Sequence, residues 1–180
     1  MKEAKVKEEA TAETAMESSS TTEGREGRLE KLSRNHVLAS MGVALIPLPI
    51  VDLVALMGIQ LKMVREIAAE YAIPFRRDIV KSTIFSLMGG VLPITVGCTL
   101  ALMLKSIPLI GLNVSVITIP AFSGACTYAI YKVFVQHFES GGTFLDLDPA
   151  KVKAYYSEQF AKGKKYTMDL KTKKPAKTEA

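Results

Sequence analysis

The chain reads as an all-α, membrane-embedded helical bundle: a two-span hydrophobic hairpin, flanking amphipathic helices and disordered tails. Three observations carry that reading. Charge is confined to the ends, since residues 1–34 hold seven basic and eight acidic side chains and residues 151–180 hold nine and three. The middle, 35–150, holds only seven of each. Within it Ser82–Leu104 and Ser106–Tyr131, 23 and 26 residues, carry no charge and are separated only by Lys105. A bilayer crossing needs about 20 predominantly apolar residues, and both stretches reach that length.

Residues 1–26 are rich in Glu, Thr and Ser and read as a disordered tail without an apolar run of signal-peptide length. The helical membrane domain is expected over 27–162, with spans at about 82–104 and 107–131, and a basic tail over 163–180. A helix starting near Glu26–Leu29 should end near Leu45, because Pro47 and Pro49 remove backbone donors and disfavour a helical residue before each. Pro49 suits the first turn of a second helix, and Asp52 is favourable near a helix N-terminus.

The second helix should run to about Ala72 and end before Pro74. Leu53, Leu56, Met57, Val64, Ile67 and Tyr71 line its apolar face, and Lys62, Arg65, Glu66 and Glu70 the other. Gln60 falls on the apolar face. Its reading stays open between a core amide with a backbone partner and an inter-helix hydrogen bond at membrane depth. Asp52 is also open: a carboxylate at a helix start, or a proton- or cation-handling group in an apolar setting.

Both uncharged stretches contain glycine and proline, which neighbouring helices in a membrane bundle can accommodate. Small residues at four-residue spacing, Gly97 with Ala101, Ser123 with Thr127 and Ala125 with Ala129, would let helices approach closely. Cys98 and Cys126 read as buried small hydrophobes. After a turn at Ser140–Thr143, Asp148 and Pro149 read as an N-cap and first helical residue, and Leu147 and Val152 stand at hydrophobic-staple spacing. Val152, Tyr155, Tyr156 and Phe160 form the apolar stripe of a last helix, which Gly163 is expected to stop.

Arg76, Arg77 and Lys81 precede the first stretch and Lys132 follows the second. The positive-inside rule then places both tails in the cytoplasm of a bacterial inner membrane. Lys162, Lys164, Lys165, Lys171, Lys173, Lys174 and Lys177 give a basic tail that anionic lipid would attract.

No constellation for catalysis is legible. His36 and His137 stand apart at the edges of apolar runs, no zinc-ligand spacing occurs, and the Gly89-Gly90 and Gly141-Gly142 pairs lack the Lys-Ser/Thr of a phosphate loop. The chain is expected to be no enzyme and to need no cofactor or metal. Nucleic-acid binding is disfavoured because the basic residues lie in a tail.

The spacing Pro47-x-Pro49-x-x-Asp52, then Gln60, Met63, Ile67-Ala68 and Tyr71, resembles the YcjF-type domain family. The resemblance extends through Tyr128–Lys132 and Phe138–Gly142, over roughly residues 35–162. It implies a helical membrane-associated module of unknown function, often fused to or encoded near small GTPases. Members of that family more often carry Gly where Ala72 and Tyr131 stand. The expected function is a non-enzymatic anchor or interaction module for a cytoplasmic partner, a GTPase among the candidates, in contact with lipid and able to form homo-oligomers. A small oligomeric channel or transporter using Asp52 and Gln60 is the alternative. A soluble bundle with a buried hairpin is the third.

Overall fold

The computed structural model describes residues 24–45, 49–89 and 111–172, and the side chains of 24–45, 54–89 and 119–170. Among these residues there are five helices and no strand. They are α1 (24–43), α2 (Pro49–Glu70), α3 (Arg77–Gly89), α4 (Gly111–Glu139) and α5 (Pro149–Thr172). Residues up to Leu32 form a separate compact unit whose described part is a mostly polar helical segment. Residues 33 onward form the bundle.

Helix boundaries follow local chemistry. α2 opens at Pro49, as the double-proline break requires. It closes with paired turn bonds from Ile73 N–H to Ala68 O (2.9 Å) and Ala72 N–H to Ala69 O (3.2 Å). This closing motif puts Ala72 in the left-handed region at φ 55°, where a Cβ is unfavourable. Glycine would adopt this conformation without that cost. Ala72→Gly is expected to raise stability by about 1 kcal/mol, measurable by denaturant unfolding in detergent. α4 ends in the same motif, with Gly141 (φ 80°) and Gly142 bonding back to Phe138 O and His137 O, both at 3.0 Å. The Asp148 carboxylate accepts the Ala150 N–H (2.9 Å), and Pro149 starts α5 as expected.

The principal packing is the antiparallel pair α4 and α5. Tyr156 and Phe160 are buried, with Ala125, Cys126, Ala129 and Ile130 forming much of the buried surface of α4. Gly163 does not stop α5, which continues to Thr172. A Cβ at 163 would stand 3.0 Å from the Cα and carbonyl oxygen of Ala125. The glycine is there so that two helix backbones can touch, and residues 163–172 of the expected tail are helical. The small residues at 121–129 do let helices approach, whereas the Gly97–Ala101 pair and Cys98 lie outside the described residues.

Among the described residues no helix is long and apolar enough to cross a membrane. Of the expected spans at 82–104 and 107–131, residues 90–104 and 107–110 lie outside them, while 82–89 fall in α3 and 111–131 in α4. In α3, Thr83, Ile84 and Leu87 are buried and Phe85 is half exposed. In α4, Ala121, Ser123–Thr127 and Ala129–Tyr131 are buried by protein, not left as a lipid-facing surface. An uncharged stretch looks alike whether protein or lipid covers it, and here α5 supplies the cover. Pro120 sits inside α4 without ending it.

Candidate functional site

The residues singled out by sequence do not converge on one catalytic pocket. Asp52 is the fourth residue of α2, and its side chain lies outside the described residues, as does Pro47. Gln60 is eight residues further on, which places it about 12 Å along the helix axis and roughly 80° around it. Gln60 is fully buried, and among the described residues neither its amide oxygen nor its nitrogen has a hydrogen-bond partner. A buried amide left unpaired is costly. Tyr71 donates from its hydroxyl to a Glu139 carboxylate oxygen (3.2 Å) and sets its ring 5.8 Å from that of Phe138.

Short polar side chains stitch α1, α4 and α5. Ser123 donates to the Ser40 carbonyl (3.0 Å), Ser40 to Val37 O (2.8 Å) and Thr127 to Ser123 O (3.0 Å). Thr167 donates to Ala121 O (3.4 Å) and Lys164 O (3.0 Å). Beside them Gly124 faces Thr167 and Met41, whose side chains would lie within 2.7 Å of an added Cβ. The Ser123 and Thr167 bonds to Ser40 O and Ala121 O cross between helices, whereas Ser40 and Thr127 bond carbonyls of their own helix.

The histidines are more integrated than boundary residues. His36 is buried, with Nε2 3.6 Å from Glu66. His137 places Nε2 2.8 Å from the Thr143 carbonyl. A carbonyl only accepts, so Nε2 carries the proton. Thr143 in turn donates to Asp146 through its hydroxyl and through its backbone N–H (2.7 Å). The hydroxyl bond first and the backbone bond second hold the Asp146 carboxyl below its usual value, with a small contribution from His137. Stability from this loop is present above the ordinary carboxylate pKa and is lost as pH falls through the depressed one. Asp146→Asn is therefore expected to flatten the pH dependence of the unfolding midpoint below about pH 4. Spacing within 137–146 gave no signal for this cluster, because the loop's own turn creates it.

Aromatic rings close one end of the bundle. Phe138 meets Phe144 edge-on (5.1 Å), Phe134 lies 6.0 Å from Phe144, and Phe75 reaches Phe144 from the chain before α3 (6.0 Å). Each such pair adds about 0.5–1.5 kcal/mol beyond burial. On α5, burial raises the Tyr156 phenol well above its usual range, with the Cys126 thiol beside it adding to the shift. Cys126 is buried, as its setting suggested. Lys162, Lys164 and Lys165 are exposed on α5. Lys171 lies in the helix, and Lys173, Lys174 and Lys177 lie outside the described residues. Among the described residues no three His, Cys, Asp or Glu side chains converge as a metal site.

This helical arrangement, without a formed reaction centre among the described residues, matches a family model described as "Domain of unknown function (DUF697)" over residues 9–165. The chain belongs to the DUF697 family. The match begins within the segment read as a disordered tail. A family of unknown function fits the resemblance to that extent, and the match shows no association with a GTPase. One relative in this comparison is Magnetosome membrane protein 22 of Magnetospirillum gryphiswaldense, 36% identical over 154 residues, which cover 85% of this DUF697 chain and 79% of the relative. No solved structure matches the chain.

Proposed function

We propose that this chain is a non-enzymatic membrane module that positions a cytoplasmic protein partner at a bacterial inner membrane. The observation that carries the reading is the 36% identity to a protein named for its membrane, extending over 79% of that protein. The uncharged stretches on either side of Lys105 supply a physical means of insertion. The basic residues flanking them favour both tails in the cytoplasm. A GTPase partner rests on the family resemblance, and homo-oligomers on the small-residue seam.

If the protein-covered residues from Ala121 onward lie outside the bilayer, the second arm has Ser106–Pro120, 15 residues, for lipid. As helix that is about 22 Å, short of the ~30 Å hydrocarbon core. A re-entrant hairpin, or a locally thinned bilayer, then fits this length. Cells producing the chain with an epitope after Ala180 test the placement. The reading requires the epitope in the membrane fraction and shielded from protease in intact spheroplasts. Digestion there removes the cytoplasmic orientation.

One observation favours the channel reading: Gln60 is a buried amide without a partner among the described residues. Liposome flux should then fall with Asp52→Asn and with Gln60→Leu. Absence of flux for the unaltered chain ends that reading.

A further inference from the structure

The face between α4 and α5 carries aromatic and basic side chains that the core does not fully bury. Gly163 against the Ala125 backbone brings the two helices together there. Tyr155, Lys162 and Tyr166 fall within about 40° of one line on α5 and span about 16 Å of it. Beside them α4 presents Tyr128 and, one turn on, Lys132. The Tyr128 ring lies 5.0 Å from that of Tyr166. Tyr155 is within electrostatic reach of both Tyr128 and Lys162. Lys132 holds its ammonium 5.9 Å from the centre of the Tyr128 ring and 5.5 Å from that of Tyr131. Tyr131 is buried, Tyr128, Lys132, Tyr155 and Tyr166 are half-buried, and Lys162 is exposed.

The carboxylates around this face are already engaged. Glu158 pairs with Lys162 at 2.6 Å, and Glu139 accepts the Tyr71 hydroxyl. Lys132 has no ion pair among the described residues, only its two ring contacts. The hydroxyls of Tyr128 and Tyr155 have no hydrogen-bond partner among them either. Burial holds the Tyr155 phenol above its usual range, against the opposing pull of Lys162, so at neutral pH it is a neutral donor. The face thus offers an unpaired ammonium and phenol donors on an aromatic floor. Its complement is an anionic oxygen group.

We propose that the α4–α5 face formed by Tyr128, Lys132, Tyr155 and Tyr166 docks an acidic segment of a protein partner, with a partner carboxylate seated on Lys132 and the Tyr128 hydroxyl. This rests on the reading of the chain as a module for a protein partner and adds to it the face and the partner's charge. Tyrosines concentrate at protein interfaces because a rigid ring and a polar tip bind at small entropic cost. The two ring contacts hold Lys132 in place before a partner arrives, which lowers the cost of ordering it. The line from Tyr155 to Tyr166 has the length of three helical turns, matching a peptide segment and far exceeding a single small acid. Lys132 stands eleven residues past Ala121, about 16 Å along α4 from where the protein cover begins, which favours a protein carboxylate over a lipid headgroup.

Peptide binding to the full chain tests this. The probes are two dye-labelled helical peptides, identical except for Glu or Gln along one face, and the chain is offered in phosphatidylcholine nanodiscs and in detergent. Fluorescence anisotropy reads affinity, and circular dichroism confirms that each variant folds. The Glu peptide is expected to bind more tightly than the Gln peptide. Lys132→Gln should weaken the Glu peptide about tenfold, the scale of one lost charge-assisted hydrogen bond. Tyr128→Phe keeps the ring and should weaken it several-fold. Lys164→Gln removes an equal charge outside the cluster, where Lys164 lies over the Phe160 ring, and should leave affinity unchanged. Carbodiimide coupling of the bound Glu peptide should join it to half-buried Lys132 ahead of the exposed Lys164 and Lys165. Equal losses for Lys132→Gln and Lys164→Gln overturn the proposal, because net charge then explains the binding. No preference for Glu over Gln overturns it as well. A benzoylphenylalanine in place of Tyr155 that crosslinks to lipid and not to the peptide overturns it in favour of a membrane-facing surface. Incorporation into the discs is read separately by size-exclusion chromatography. A chain that incorporates without binding the Glu peptide loses this face and keeps the membrane reading, and one that binds the peptide in detergent but never incorporates does the reverse.

Discussion

Gly163→Val lowers the stability of the bundle by about 1–3 kcal/mol, the range for forcing extra atoms into a filled interface. For a chain of this size that corresponds to a fall of roughly 3–10 °C in the unfolding midpoint. The reason is positional. The atoms facing the missing Cβ are the Cα and carbonyl oxygen of Ala125, with a Tyr128 ring carbon at 3.1 Å. Backbone atoms in a helix cannot rotate aside, so α4 and α5 must separate along their whole contact. Gly58→Ala is the matched control. It also removes a glycine from a helix interior, but nothing lies within 4 Å of its Cβ position. That substitution is expected to stabilise by about 0.5–1 kcal/mol through helix propensity. Opposite signs for the two substitutions, measured by thermal unfolding in one detergent, identify the close backbone approach. Equal and small shifts would show that α5 does not pack through Gly163.

Gln60→Met raises stability by about 1–3 kcal/mol, contrary to the usual direction for a core substitution. Gln60 is fully buried, with both the oxygen and the nitrogen of its amide unpaired among the described residues. Methionine has nearly the same length and volume and removes the desolvation penalty without opening a cavity. Urea unfolding of the isolated chain reads the effect as a higher midpoint at unchanged slope. A lower midpoint would mean that Gln60 finds a hydrogen-bond partner in the folded protein. A gain in stability joined to loss of a bound partner or of flux would mark Gln60 as a group kept for function at a cost in stability.

The elements whose boundaries are set by local chemistry were legible. Pro49 opens α2, Pro74 stands just past its end, and Asp148 with Pro149 starts α5, because capping and proline geometry depend on residues a few positions apart. The apolar face of α2 was legible in part: Leu56, Val64 and Ile67 are buried, while Met63, equally buried, lay just outside the face drawn. Gly163 was misread because a glycine near a helix end and a glycine at a helix crossing are the same letter. The distinction depends on Ala125, 38 residues away. A clue did exist, since the stripe Tyr156, Phe160, Gly163, Thr167 keeps helical spacing past the glycine.

The extent of the hairpin was illegible for a different reason. Lipid and protein interiors both exclude charge, so a run such as Ser106–Tyr131 does not say which of them surrounds it. The long-range pairing of α5 with α4 is what buries Ala121, Ser123–Thr127 and Ala129–Tyr131 within the bundle. Of the functional polar residues, Gln60 was correctly placed on the buried face, but not its lack of a partner. The His137–Thr143–Asp146 contacts needed the turn at Gly141 to bring them together.

The proposed anchor is integral to a membrane, although among the described residues no helix is long and apolar enough to cross one. Alkaline carbonate extraction of membranes from cells producing the full chain tests it most directly. Retention in the pellet, against a peripheral control that is released, is the predicted result. Release into the supernatant would contradict the claim and would mean that the uncharged chain between α3 and α4 is covered by protein, in favour of the soluble bundle with a buried hairpin.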